Sequence, residues 1–581
     1  MKKFLLGLLA GLVLAGLTAV ILFFVMVRMG GRRPAIADGS TLVLRLEGEI
    51  SERSGVEVPI PMFDGARLTT HDTWSILKKA AADPKIKAIA LMPAKLQAGW
   101  GKLNEIRMGL ASFKKSGKPV YAWLRTPRTR EYYLATVADK IYIAPEDIVD
   151  VKGLRAEVMF LKGTLDKLGV EAEIEHAGKY KDAGDIFTRT SLSPESREVL
   201  NSVLDGVYAH FLETVSAGRK KSPEQMKALV DQGPFLPDNA LSLGLVDGLL
   251  YEDEVFGELK KKLGQEEIKK VSHRAYSRVP AASLGLEGKR RIALVVGEGP
   301  IVRGSNPDPF GNDDGIGSDS FIKLLRTVGD NKNIEGVIVR IDSPGGDAMA
   351  SDDILREIKL LGKKKPLVFS MADLAASGGY YMALSGDPIV AYPNTLTGSI
   401  GVIYGKMTLR GLYEKAGVTK EILQRGRFAA LDSDYQPLTE DGRKKLRESI
   451  DHIYKGFVSR VAEARKRKYD EVEPLAQGRV WLGSQARQNG LVDEIGGLDR
   501  AIELVKRKAK IDPGEQIRLI PYPGRRTLFE MLFDRSGESV FDAILNARTN
   551  ALFRQAFAGF NWRLWYPGGL MRMAPYQVTI Q

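Results

Sequence analysis

The chain has 581 residues, 44% of them hydrophobic and 27% charged, with 85 Lys and Arg against 72 Asp and Glu for a net charge of +13. This composition is that of a folded chain, not a disordered one, and the length allows about three to four domain-sized units or two copies of something larger. Cysteine is absent, which excludes disulfide scaffolds, thiolate metal sites and a cysteine nucleophile; the five histidines (His71, His176, His210, His273, His452) argue against a histidine-rich metal centre, and no cofactor is implied.

The first element is apolar. Phe4 to Val27 is an uncharged run of 24 residues between Lys3 and Arg28. Spanning a bilayer takes about 20 residues, whereas the apolar run of a cleaved leader is about 7–15. A small-residue site, Ala35-Ile36-Ala37, lies beyond Arg28, Arg32 and Arg33. The reading is an uncleaved membrane anchor within residues 1–40, with its span at about 4–27. Its basic flanks, Lys2 and Lys3 against Arg28, Arg32 and Arg33, leave the orientation undecided by charge. The positive net charge then suits an anionic membrane surface better than nucleic acid.

The rest of the chain repeats itself at a spacing near 248. Lys118-Pro119-Val120-Tyr121 recurs as Lys365-Pro366-Leu367-Val368, and Tyr132-Tyr133-Leu134-Ala135 as Tyr380-Tyr381-Met382-Ala383. Gly244-Leu245-Val246-Asp247 recurs as Gly490-Leu491-Val492-Asp493. These matches predict a first unit over 41–250, a charged linker over 251–289, a second unit over 290–505 and a tail over 506–581. Within each unit short β-rich runs such as Ile334 to Ile341 alternate with helical patterns such as Asp352 to Leu361, which predicts an α/β fold with largely parallel strands. Ser305 to Ser318, dense in Gly, Pro, Asn and Asp, reads as a surface loop. The tail, with Trp562, Trp565 and Tyr566 among Arg525, Arg526 and Arg563, reads as a packing or membrane-surface segment.

The two copies differ where chemistry can reside. The second carries Asp342-Ser343-Pro344-Gly345-Gly346, Ala375-Ala376-Ser377-Gly378-Gly379 and Thr397-Gly398-Ser399-Ile400-Gly401. The first has Thr129 or Arg130 opposite Ser377, and Val151 opposite Ser399. Conversely Gly178-Lys179-Tyr180-Lys181 of the first copy faces Gly426-Arg427-Phe428-Ala429 of the second, so that Lys181 has no basic counterpart. One copy keeps a serine in a cradle of small residues and the other keeps a lysine, which points to one composite site. A serine hydroxyl needs an adjacent base, and no histidine lies in these motifs of the second copy. A lysine serves if burial lowers a pKa near 10.4 by ~3 units, at a cost of about 4 kcal/mol. Ser399 can orient the amine, and amides at Gly346 and near Gly378 can cradle an oxyanion, a contribution of about 3–4 kcal/mol. Asp342 and Asp347 read as acceptors for loop backbone groups.

In this order and combination the motifs resemble the signal peptide peptidase A (protease IV) family in its long tandem-repeat form, over roughly 41–505 and the anchor. The resemblance implies two tandem ClpP/crotonase-like domains and a Ser/Lys dyad, with Ser377 as nucleophile, Lys181 as general base, Ser399 positioning the lysine and Gly346 in the oxyanion hole. It further implies a homo-tetramer on the outer face of the bacterial cytoplasmic membrane that degrades released signal peptides. One departure stands out: the lysine segment runs Tyr180-Lys181-Asp182-Ala183-Gly184-Asp185, with two carboxylates expected to point away from the base. The alternatives are a crotonase-type acyl-CoA enzyme, which needs no serine nucleophile, and a non-catalytic membrane scaffold.

Overall fold

The computed structural model describes residues 35–53, 68–305, 315–524 and 569–573, with four helical positions, Gly7, Gly11, Leu14 and Thr18, in the apolar N-terminal run. Most of the predicted anchor segment over 1–40 and most of the predicted loop over 305–318 thus lie outside the described residues, as do the tail aromatics. Among the described residues no helix is long and apolar enough to cross a membrane.

Two sheets of the same plan form the body. In the first, all strands are parallel and run in the order Gly248–Leu249, Lys140–Ile143, Val120–Leu124, Ile86–Leu96, Ser40–Gly48, Lys270–Ser272. The second has eight strands: the parallel run Glu494–Ile495, Ile389–Ala391, Leu367–Ala376, Gly336–Ser343, Arg290–Glu298, Ile517–Tyr522 repeats that order, and Leu396–Gly398 pairs parallel with Leu367–Ala376 and antiparallel with Val480–Leu482. The central strands read as near-continuous apolar runs because helices cover both faces; Gly336–Ser343 (GVIVRIDS) buries seven of its eight residues.

The repeat extends to individual side chains. Buried Tyr132 donates its hydroxyl to the Leu245 carbonyl at 2.7 Å, and buried Tyr380 donates to Leu491 at 2.8 Å. Arg219 holds the Gly244 carbonyl and Asp247, and Arg465 holds the Gly490 carbonyl and Asp493. Both arginines end helices of 26 residues, Pro194–Arg219 and Glu440–Arg465. Each helix starts on a side-chain cap, Ser193 or Thr439, and stops at a lysine in the left-handed region, Lys220 or Lys466.

Two segments differ from the sequence reading. Residues 251–289 are not a linker, because Glu252–Leu263 is a helix that buries Val255, Phe256 and Leu259, and Lys270–Ser272 closes the edge of the first sheet. Likewise Ile517–Tyr522, assigned to the tail, closes the second sheet at the equivalent edge. Lysines in the last helical turn, which suit its carbonyl end, made the first segment look merely solvated, and a three-residue strand is too short to show alternation.

A third sheet joins the two copies. Its order is Ile316–Gly317, Ile301–Val302, Gly345–Asp347, Gly569–Met573, Val402–Thr408, Glu171–Ala177. The last two pair antiparallel from Val402↔Ala177 to Thr408↔Glu171, so a strand of the first repeat completes a sheet of the second. Behind it the copies are locked by buried charge. Arg340 makes a two-pronged pair with Glu52 at 2.8 and 3.1 Å, and Lys102 pairs with Asp342 at 2.7 Å and Glu298 at 3.3 Å. Burial opposes the charge on Lys102, but Asp342, Asp373 and Glu298 hold its pKa well above the usual lysine value.

Candidate active site

The site forms where the strand from the first repeat meets the second. The chain leaves Glu171–Ala177, turns at Gly178 (φ +111°) and delivers Lys181. A side chain on Gly178 would meet the Gln477 backbone at 2.5 Å, so glycine is required for this close approach. The same loop of the second repeat grips the lysine segment, since the Tyr180 amide donates to the Gln477 carbonyl at 2.7 Å and the Lys179 amide to Gln477 Oε1 at 3.0 Å. Gly478 lies against the lysine itself, and a Cβ there would stand 2.6 Å from Lys181 Cβ.

Ser377 ends the strand Leu367–Ala376 and starts the short helix Gly378–Tyr381. Its backbone sits at φ 55°, ψ −115°, a conformation that L-residues rarely adopt and that persists only where the surroundings impose it. The surroundings here are tight. The Ser377 amide donates to the Gly398 carbonyl at 2.8 Å, and a Cβ on Gly379 would meet the Ser343 carbonyl at 2.6 Å. That last contact brings the Ser343-Pro344-Gly345-Gly346 turn against the serine turn. Gly346 adopts φ +156° beside Ile301, whose carbonyl oxygen would be 2.0 Å from an added Cβ.

Lys181, Ser377 and Ser399 are brought together and all three are fully buried. Lys181 Nζ donates to Ser377 Oγ at 2.9 Å, to Ser399 Oγ at 2.9 Å and to the Ser399 carbonyl at 3.0 Å. The first of these contacts joins residues 196 positions apart, within one chain. Ser399 also has positive φ (52°), and its amide donates to the Arg479 carbonyl at 2.7 Å. Ser399 and the Gln477–Gly478 loop thus fix the amine from two sides. Gly378 opens the short helix directly after the serine.

The carboxylates beside the lysine have other partners. Asp182 accepts from the Ser196 hydroxyl at the start of the long helix, and Asp185 pairs with Arg189 at 3.7 Å. Burial, with Asp182 nearby, raises the pKa of Asp185. Asp347 caps the helix Ala348–Lys364 by accepting from the Met349 and Ala350 amides, and Asp342 accepts from the Leu374 amide, the loop roles expected of them. In the first repeat, counting back from Tyr132 puts Thr129 where Ser377 stands before Tyr380. The Gln477–Gly478 loop was missed by sequence reasoning; its positive φ angles (54° and 78°) leave only a single glycine as a signal.

Comparison with known proteins decides the family. The model of peptidase family S49 matches residues 112–266 and 359–512, one stretch in each repeat. The chain belongs to peptidase family S49. Two relatives extend the match over most of its length. "Serine protease SPPA, chloroplastic" of Arabidopsis thaliana is 38% identical over 87% of this chain and 74% of its own. "Protease 4" of Haemophilus influenzae is 32% identical over 80% of this chain and 76% of its own. The S49 chain is accordingly a serine peptidase with two tandem domains, not an acyl-CoA enzyme or a scaffold. Among solved structures, ClpP1 from Listeria monocytogenes overlaps 35% of this chain and 91% of its own at 18% identity, with a TM-score of 0.21; the fold described above rests on strand order and not on that overlap.

Proposed function

We propose that Ser377 and Lys181 form the peptidase dyad, with Ser399 positioning the amine and the amides of Gly346 and Gly378 receiving the oxyanion. The observation that carries this is the 2.9 Å contact between Lys181 Nζ and Ser377 Oγ in a fully buried setting. A general base must stand within about 2.6–3.2 Å of the proton it takes. In the reaction, neutral Lys181 accepts the hydroxyl proton as Ser377 Oγ attacks the peptide carbonyl carbon. The resulting oxyanion is stabilised by backbone amides, and Lys181 returns the proton to the leaving amine. An acyl ester on Ser377 remains; water attacks it, giving its proton to Lys181, which passes it to the departing Ser377 Oγ as the acid product leaves, restoring the hydroxyl and the neutral amine.

The substrates on this reading are apolar peptides, in particular signal peptides released into the membrane, which the enzyme meets because residues 4–27 anchor it there. The uncharged run of 24 residues supports the anchoring. The catalytic body lies on the outer side of the bacterial cytoplasmic membrane, as a homo-tetramer of ClpP/crotonase-like domain pairs. The full chain, extracted in detergent, is assayed on an apolar leader-like peptide beside Ser377→Ala and Lys181→Met. Each substitution should lower kcat by about 10⁴-fold or more, and retention of full activity by both refutes the dyad.

A further inference from the structure

The second repeat's helix Ala348–Lys364 begins on its own cap, for Asp347 accepts from the Met349 and Ala350 amides at 2.9 Å each. The corresponding helix of the first repeat, Trp100–Lys114, begins at Gly99 and has no such side chain. Amides at its start are nonetheless satisfied, by a residue of the other copy. Asp373 Oδ2 accepts from the Gly99 amide at 2.9 Å, and Oδ1 from the Lys102 amide at 2.8 Å. The approach is close. A Cβ on Gly99 would meet the Asp373 carboxyl carbon at 2.3 Å, and one on Gly101 would meet the Ala372 carbonyl oxygen at 2.7 Å. Lys102 Nζ pairs with Asp342 at 2.7 Å and stands 3.9 Å from Asp373.

Asp373 occupies a break in the strand that ends at Ser377. Along Leu367–Ala376, Met371 pairs with Ile341 and Ala375 with Ser343, so Ala372, Asp373 and Leu374 stand opposite Asp342 alone. Before this bulge the strand's other edge pairs Phe369 and Ser370 with Ile389 and Val390. After it, Leu374, Ala375 and Ala376 pair with Leu396, Thr397 and Gly398. This second partner strand runs into Ser399, and its Gly398 carbonyl receives the Ser377 amide. A bulge re-aims the chain that follows it. Here that chain is Ser377, at φ 55°. The residues on either side of Asp373 are tied within the second repeat: the Thr395 hydroxyl donates to the Ala372 carbonyl at 2.6 Å, and the Leu374 amide to Asp342 at 3.0 Å. The middle residue, Asp373, is tied to the first repeat.

We propose that Asp373 is a positioning residue for Ser377. By capping the helix Trp100–Lys114 of the other repeat it pins the middle of the bulge, and the bulge sets where the strands carrying Ser377 and Ser399 end. The first repeat thus contributes twice to the reaction: it delivers Lys181, and it holds the strand of the serine. The proposal rests on the dyad reading above, since that reading makes the end of this strand the place of reaction. It also accounts for the helix start that lacks a cap of its own, because a side chain on Gly99 would fill the space that the Asp373 carboxylate occupies.

The full chain, extracted in detergent, is compared with Asp373→Ala, with Asp373→Asn and with the pair Gly99→Asp and Asp373→Ala. Gly99 has φ −76° and ψ 173°, which any residue adopts, and the nearest atoms its Cβ would crowd all belong to the Asp373 side chain. The pair therefore gives this helix a cap of its own, as Asp347 does for the other. The thermal midpoint of each variant is taken first. Then kcat and KM for an apolar leader-like peptide are measured well below the lowest midpoint, where every variant is folded. Asp373→Ala should lose about 10²-fold in kcat, the cost of a misplacement near 1 Å, with KM within about twofold of the parent. Asp373→Asn, which keeps one acceptor for the helix, should recover part of that loss. The pair should regain thermal stability and not kcat. A role confined to capping would return both, so parental kcat in the pair or in Asp373→Ala overturns the proposal, as does a change confined to KM. Should the alanine variants lack the parental circular dichroism spectrum, Asp373→Asn decides: a fall of about tenfold or more in kcat at parental KM supports the proposal, and parental kcat overturns it. The dyad is judged apart, by Ser377→Ala, whose full activity would refute it whatever Asp373 does.

Discussion

The two repeats share a frame and divide the chemistry. Tyr132–Leu245 and Tyr380–Leu491 are the same hydrogen bond made twice, as are Arg219–Asp247 and Arg465–Asp493. Where the copies part, each lacks what the other holds: Thr129 stands at the serine position, and Ala429 faces Lys181 in the sequence match. Duplication explains the division. Framework contacts are needed in each copy for it to fold, whereas the proposed dyad needs one serine and one lysine. The strand Glu171–Ala177 carries the lysine out of its own repeat and into the other.

The largest effect that would sharpen this contrast comes from Gly478, which touches the lysine and not the frame. Gly478→Ala places a Cβ 2.6 Å from Lys181 Cβ at a residue with φ +78°, so the loop or the lysine must move. A misplacement of about 1 Å at a catalytic group costs on the order of 100-fold in rate. We expect kcat to fall about 10²–10³-fold, with a far-UV spectrum like that of the parent. A variant with parental kcat would show that the lysine tolerates displacement and that this loop does not position it.

The frame is tested by comparing equivalent deletions. Arg219→Ala and Arg465→Ala each remove an arginine that holds a carbonyl and an aspartate at matching places. Each should cost about 2 kcal/mol, the penalty for leaving partly buried acceptors unpaired. Denaturant unfolding of the two variants should agree within about 1 kcal/mol, because each loses a carbonyl and an aspartate contact of the same kind. A larger disparity would break the equivalence of the two frames.

Much of this was legible in the sequence, for physical reasons that also mark where reading stopped. Buried tyrosines, glycine turns and the Gly-Leu-Val-Asp segments recur because each satisfies a local demand in both copies, so their spacing exposes the duplication. Ser377, Lys181 and Ser399 emerged because they break that symmetry. The contacts that hold the copies together left no such mark. Arg340 and Glu52 are 288 residues apart, and nothing local to either names the other. The Gln477–Gly478 grip on the lysine is equally remote in sequence, with Tyr180 and Gln477 joined only through backbone atoms. The strand Gly569–Met573 escaped because five residues with one glycine and two methionines carry no alternation, and only its neighbours make it a strand.

The smallest expected effect separates positioning from proton transfer. Ser399 offers Lys181 two acceptors, its hydroxyl at 2.9 Å and its carbonyl at 3.0 Å, and Ser399→Ala removes only the first. The amine keeps the carbonyl and Ser377, so it stays within reach of the nucleophile but loses one of the contacts that fix its direction. One hydrogen bond of this kind is worth about 1–1.5 kcal/mol, which is about tenfold in kcat. KM should stay at the parental value, because the Ser399 hydroxyl is engaged by the lysine amine. Restoring a hydroxyl with Ser399→Thr should recover part of the rate if room for the extra methyl exists beside Gly401. A change in KM with constant kcat would instead make Ser399 part of the peptide-binding surface. A loss as deep as that of Lys181→Met would show that the lysine cannot be held without the hydroxyl, and that the asymmetry between the repeats rests on three residues and not two.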